Sequence, residues 1–210
     1  MVTSEYTKQQ TIIEFSVKNP DTIFITGQAR NDVLFVDNGI IQSLKESGID
    51  FGKKRIILYM PTYRGKGQDE NTLKVIVSDL IRNSELNSFL ESNNFLFVIK
   101  LHPSTPAFPI PDNENFTIID YWKISSNQEL LALGEVMITD YSGVFVDYAL
   151  LKRPILFYVP DENAKEKFEE AWNRVLQGEN YSYEYVTSFQ DIEMSFVHSL
   201  TPYINQSGAV

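Results

Sequence analysis

Val136-Met-Ile-Thr-Asp-Tyr-Ser-Gly-Val-Phe-Val-Asp-Tyr-Ala-Leu150 opens on an apolar run, breaks on small and polar residues, and then resumes as a second apolar stretch. A short apolar run without alternation fits a strand buried on both faces of a sheet. The stretch after the break fits a helix that packs back on that sheet. Strand, polar junction and helix form the repeating unit of a parallel α/β architecture. A junction of this kind points backbone N–H groups, and the positive end of a helix dipole, at whatever binds there. That arrangement favours oxygen-rich anions, phosphates above all.

The same pattern recurs on both sides of this stretch. Runs rich in β-branched and aromatic residues predict strands at 22–26, 55–60, 95–101, 116–119, 136–139 and 155–158. Helix-length segments between and after them predict helices at 33–47, 71–92, 126–133, 143–151, 162–176 and 189–204. Leu73, Ile76, Val77, Leu80 and Ile81 follow the three-four spacing of a one-sided apolar stripe. The expected fold class is α/β, a doubly wound and mostly parallel sheet in one unit over residues 1–210. Residues 1–20 are expected as an opening helix and linker, with no strand before them, and 188–210 as a C-terminal helix.

Composition narrows the function classes. The chain has 210 residues, 43% of them apolar and 22% charged, which is ordinary for a soluble globular protein. Nothing approaches the roughly eighteen apolar residues of a transmembrane helix. The first ten residues lack the basic start and apolar block of a signal peptide, and there is no cysteine for a disulfide or thiolate metal site. A cytoplasmic location is the expectation. A net charge of −10 disfavours nucleic-acid binding and unaided adsorption to an anionic membrane, so any phosphate site must be a local pocket. His102 to Pro111 carries four prolines and reads as one extended loop.

Ligands of doubly wound sheets bind beyond the carboxyl ends of the strands. That rule collects Gly27-Gln-Ala-Arg-Asn-Asp32, Pro61-Thr-Tyr-Arg-Gly65, His102-Pro103, Tyr121-Trp122 and Asp140-Tyr-Ser-Gly143 on one edge. Ser142 can cap the following helix and Gly143 can let a phosphate approach the backbone, although an ordinary capped helix reads the same way. Asp147 is the only charge on that helix and needs a partner: Lys152, Arg153 or a ligand hydroxyl. His102 could give a proton or a hydrogen bond to a phosphate oxygen or leaving group. Its plain alternative is a loop histidine bonded to a carbonyl. His198, among apolar neighbours in a helix, reads as structural. Arg64 and Arg30 could each clamp an anion or form surface salt bridges. Lys53-Lys54-Arg55 falls on the opposite edge and reads as a solvated face. No metal-ligand spacing, Walker loop or dinucleotide-binding glycine pattern is present, so an ATPase or nicotinamide enzyme is unsupported.

Taken together, Thr26-Gly-Gln-Ala-Arg-Asn-Asp32, Tyr59-Met-Pro-Thr-Tyr-Arg64, Lys100-Leu-His-Pro103 and Thr139-Asp-Tyr-Ser-Gly143 resemble the CDP-glycerol glycerophosphotransferases and related capsule-assembly transferases. Val146-Asp-Tyr-Ala149 and Lys152-Arg-Pro154 continue that likeness, which runs from about Ser4 to Tyr158. The resemblance implies the C-terminal, Rossmann-like half of a GT-B fold, the half that holds the nucleotide. It implies transfer of glycerol phosphate from CDP-glycerol to an acceptor hydroxyl with release of CMP, without a cofactor or an essential metal. By the same likeness His102 meets the donor diphosphate, and Ser142 and Gly143 hold its phosphates. Thr139 and Asp140 shape that loop. Beside these, Thr62, Arg64 and Asp147 are candidate donor-site residues, and Arg30 and Asp32 are candidates for the acceptor side or cleft.

The implied partners are a CDP-polyol donor, a polymer or lipid-linked acceptor, and an N-terminal half that carries the general base. Without that half the chain is expected to be incomplete for catalysis, and in the full enzyme it would lie at the inner face of the membrane. The sequence departs from the family in Gly143, where a second serine is common, and in 177–186, where a Pro-Gly turn is not recognisable. A GT-B glycosyltransferase using a nucleotide sugar, or a nucleotide-binding module without catalysis, are the alternative readings.

Overall fold

The computed structural model describes residues 1–36, 39–63, 70–106, 108–119, 124, 126–140, 142–158 and 185–186. Its centre is a six-stranded sheet: β1 (Arg55–Tyr59), β2 (Phe95–Lys100), β3 (Phe116–Ile119), β4 (Val136–Thr139), β5 (Ile155–Tyr158) and β6 (Tyr185–Val186). The order is β3-β2-β1-β4-β5-β6 and each neighbouring pair is parallel. This is the strand order of a dinucleotide-binding sheet, in which the direction of growth reverses between β1 and β4.

Alternation along the strands builds two cores. Ile57, Tyr59, Phe95, Phe97, Ile99 and Ile138 face α3 (Glu70–Arg82) and α4 (Ser84–Ser92), where Val77, Leu80 and Leu90 meet them. Ile56, Leu58, Leu96, Val98 and Met137 face the other layer, where Leu44, Leu130, Leu131 and Tyr148 close the core. Those residues come from α2 (Ile40–Glu46), α5 (Asn127–Leu133) and α6 (Val144–Ala149). A continuous apolar run was the right signature for β2, because all six of its residues are buried.

Four expected elements differ. Residues 22–26 do not join the sheet. Pro20–Thr22 is a 3-10 turn, Gly27 turns the chain at φ 73°, and only Ile25 bridges, to Val2. The expected helix 33–47 is a 3-10 segment, Ala29–Phe35, followed by α2, which starts after Gly39 at φ 67°. The expected helix 71–92 is two helices, because the Asn83 side chain accepts the Leu86 N–H at 2.8 Å and caps α4. The expected helix 143–151 is the six-residue α6, capped by Leu150, and Val146 on it is exposed. The opening helix forms as α1 (Glu5–Glu14), with Ser4 and Thr7 in a capping box. The expected helices 162–176 and 189–204, and the turn region around 177–184, lie outside the described residues. Among the described residues no helix is long and apolar enough to cross a membrane.

Candidate functional site

Beyond the carboxyl ends of β1, β2 and β4 the chain leaves a pocket of about 200 Å³. Met60 and Pro61 continue β1 into its wall, Lys100 to Pro103 continue β2, and Ser142 and Val144 follow β4. Asn127, at the start of α5, completes the lining. The pocket lies where strand order reverses, because β1 is flanked by β2 on one side and β4 on the other.

Two buried side chains join the β1 and β4 ends. Thr139, fully buried, donates its hydroxyl to the Met60 carbonyl at 2.8 Å. Asp140, 1% exposed, accepts the Thr62 N–H at 3.0 Å, the Thr62 hydroxyl at 2.6 Å and the Ser142 N–H at 3.1 Å. Thr139, Asp140 and Thr62 therefore hold the pocket rim together through bonds to one another's loops. Ser142 lines the pocket but does not cap α6. The N-cap is Gly143, in ordinary right-handed geometry, and it makes no side-chain cap bond. A Cβ added at Gly143 would meet nothing within 4 Å, so the space above it is open.

His102 stands at the β2 end and lines the pocket. The Tyr63 ring stacks on it with centroids 5.2 Å apart and planes 25° from parallel. Its Nδ1 accepts the Ser104 N–H at 3.1 Å. Lys100, the last residue of β2, is 3% exposed, and its ammonium donates to the Leu101 carbonyl at 3.0 Å. An ammonium in a low-dielectric wall acts on an anion more strongly than one in open water. Lys100, His102 and Ser142 thus line one pocket.

Other expected site residues lie elsewhere. Asp147, buried on α6, is paired with neither Lys152 nor Arg153. It accepts Arg30 Nη2 at 3.0 Å, Asn31 Nδ2 at 2.8 Å and Gln128 Nε2 at 3.1 Å. Arg153 instead donates to the carbonyls of Ala132 and Gly134. Arg30 is therefore engaged with the fold's own carboxylate, and Asp32 is exposed beside it on the 3-10 segment. Arg64, Tyr121, Trp122 and His198 lie outside the described residues. On the far edge of the sheet, Arg55 pairs with Glu135 at 2.7 Å and lies over the Phe95 ring. Among the described residues no group of three or more His, Asp or Glu side chains converges to hold a metal ion.

Lys100 and Tyr63 belong to this site, yet neither was singled out from sequence. A lysine closing an apolar strand ordinarily carries its charge out to solvent, so its burial was hidden. Within Tyr59-Met-Pro-Thr-Tyr-Arg64, Tyr63 carries no sequence signal that sets it apart from a core aromatic. The partners of Asp147 carried no local signal, since Arg30 lies 117 residues away in the chain.

A parallel, doubly wound sheet with a pocket at its carboxyl edge is a Rossmann-like domain. The profile of the CDP-glycerol:poly(glycerophosphate) glycerophosphotransferase family matches residues 1–191, and the chain belongs to that family. Over 153 residues it is 34% identical to the teichoic acid poly(glycerol phosphate) polymerase of Bacillus spizizenii, covering 67% of this chain and 36% of that protein. It is 34% identical over 108 residues to the teichoic acid ribitol-phosphate primase of the same organism, covering 51% of this chain and 26% of that one. The fold matches the structure of the wall teichoic acid polymerase TagF with a TM-score of 0.67 at 23% identity, over 93% of this chain and 47% of the other. The chain thus spans less than half the length of these relatives.

Proposed function

We propose that this chain binds the donor of a transferase that moves glycerol phosphate, or a related polyol phosphate, from its CDP derivative to an acceptor hydroxyl in cell-wall or capsule polymer synthesis. The observation that carries the reading is the meeting of Lys100, His102 and Ser142 in one pocket at the strand ends. Its volume, about 200 Å³, is below the roughly 300–1,000 Å³ of pockets that enclose a whole drug-sized ligand. The pocket suits the diphosphate, with the cytidine and the polyol extending past its rim. Family membership supplies the donor class, and the two curated relatives supply glycerol and ribitol as the polyols to compare.

In the proposed reaction the acceptor oxygen attacks the β-phosphorus in line. A new P–O bond forms to the polyol phosphate, and the bond from the β-phosphorus to the bridging oxygen breaks. CMP leaves with that oxygen and its electron pair. Catalysis of this kind is mostly positioning and charge stabilisation, because the transition state is loose and its charge is spread over oxygens. His102 hydrogen-bonds the departing phosphate, and Lys100 offsets its growing charge. Ser142 orients it, while Thr139, Asp140 and Thr62 keep the rim in register. The acceptor's proton goes to a base outside this chain, in the N-terminal half of a two-domain enzyme. No cofactor takes part; the CDP-polyol is the substrate. In this reading the work is done in the cytoplasm, at the inner face of the membrane.

The reading is tested by assaying transfer from CDP-glycerol by the intact transferase and its His102→Ala variant. Loss of about 100-fold or more in turnover is expected for a positioned acid or hydrogen-bond donor. Near-normal turnover contradicts the assignment, and preferential consumption of UDP-sugars would replace it with a glycosyltransferase.

A further inference from the structure

His102 is held from two sides, and the two contacts together choose which ring nitrogen faces a guest. His102-Pro103-Ser104-Thr105 is a tight turn closed by the Thr105 N–H on the His102 carbonyl at 2.9 Å. Pro103 occupies the turn position that proline pre-organises. The turn brings the Ser104 N–H onto His102 Nδ1 at 3.1 Å. Only an Nδ1 without a proton can accept that bond, so the neutral ring carries its proton on Nε2. Tyr63, arriving from the β1 end, covers one face of the imidazole at a centroid distance of 5.2 Å. A hydrogen bond fixes one ring atom, whereas a stacked ring fixes the plane; neither alone does both.

From this we infer that Tyr63 is a positioning residue. With the His102–Thr105 turn it holds the His102 ring with Nδ1 occupied and Nε2–H left as the donor for an anion bound in the pocket. The inference rests on the proposed donor site for its consequence, though not for its geometry. It also separates two chemistries that the sequence leaves open, because a ring held this way gives a hydrogen bond to the leaving oxygen and need not give up its proton. Tyr63 does not touch the reacting atoms in this scheme. It acts only through His102.

The chain suits a direct test, since it contains two histidines, His102 and His198. Nitrogen-15 NMR of the 210-residue chain at about pH 8.5, where histidine rings are neutral, reads the tautomer of each. The His102→Ala variant assigns the signals. The expected result is His102 protonated on Nε2 in the wild type and in Tyr63→Phe, which keeps the stack. In Tyr63→Leu the same signals should move toward tautomer averaging, while backbone amide shifts away from the site stay put. Binding of CDP-glycerol should weaken about fivefold in Tyr63→Leu and recover in Tyr63→Phe, as the loss of one aromatic pair would give. An Nδ1-protonated His102 in the wild type overturns the inference. So does a Tyr63→Leu variant whose His102 signals and affinity are unchanged. Nε2 protonation that depends on Tyr63, in a chain that ignores CDP-glycerol, upholds the positioning and overturns the donor reading instead.

Discussion

Asp147 accepts hydrogen bonds from Arg30, Asn31 and Gln128, side chains carried by the 3-10 segment and by α5. Removing it leaves Asn31 and Gln128, both buried, without that acceptor, whereas Arg30 is exposed and turns to water. Asp147→Ala should therefore lower unfolding free energy by about 2–3 kcal/mol, read as a fall in the urea midpoint. A change below about 0.5 kcal/mol would mean that the network is ornamental. Gly143 makes the opposite case. Its backbone is right-handed and the space for a Cβ is empty, so Gly143→Ser should change stability by no more than about 0.5 kcal/mol. At this scale sequence reading found charged residues but not their partners. For Arg30 the sequence leaves an anion clamp and a salt bridge open, because its charge is local information whereas its carboxylate lies 117 positions away. His102 and Ser142 were legible as strand-end residues. Lys100 was not, because burial of a strand's last lysine depends on the neighbouring strand ends.

The strands were the most legible elements. β1 to β5 fall on the predicted runs, because strands buried on both faces must be written as continuous apolar residues. Helix boundaries were less legible, since a single cap decides them. The 71–92 stretch keeps one apolar stripe, yet Asn83 ends one helix and begins another by accepting the Leu86 N–H. Asn83→Ala should cost about 1 kcal/mol, measured by thermal or urea unfolding. Unchanged stability would show that packing of Leu86 and Leu90 alone holds α4. Segment 22–26 had the composition of a strand, but a 3-10 turn before it and Gly27 after it leave only a single bridge to Val2. β-propensity states that residues suit a pleated surface, not that a surface is available.

For the whole molecule, the two cores also carry a pH signature. Burial holds the Tyr158 phenol at about 12, from an ordinary value of 10.0, and pushes the Tyr148 phenol up as well. Above pH 10 the unfolded chain gives up these protons while the folded chain keeps them. The contribution is thus fully present below pH 10 and is lost as pH rises through about 12. Tyr158→Phe should flatten that alkaline decline in urea midpoints; an unaltered slope would place the titration elsewhere. The doubly wound class followed from strand-helix alternation, and the placement of the pocket followed from the strand-end rule. The rim bonds through Asp140 and the stacking of Tyr63 on His102 came only with three dimensions, because each joins loops that are distant in sequence. The most direct measurement is calorimetric titration of the 210-residue chain with CDP-glycerol, CDP and UDP, repeated on His102→Ala and Lys100→Met. Selective binding of the cytidine diphosphates, weakened about tenfold or more by each substitution, is the expected result. A folded wild-type chain that binds none of them, or binding that both substitutions leave unchanged, would contradict a donor site at these strand ends.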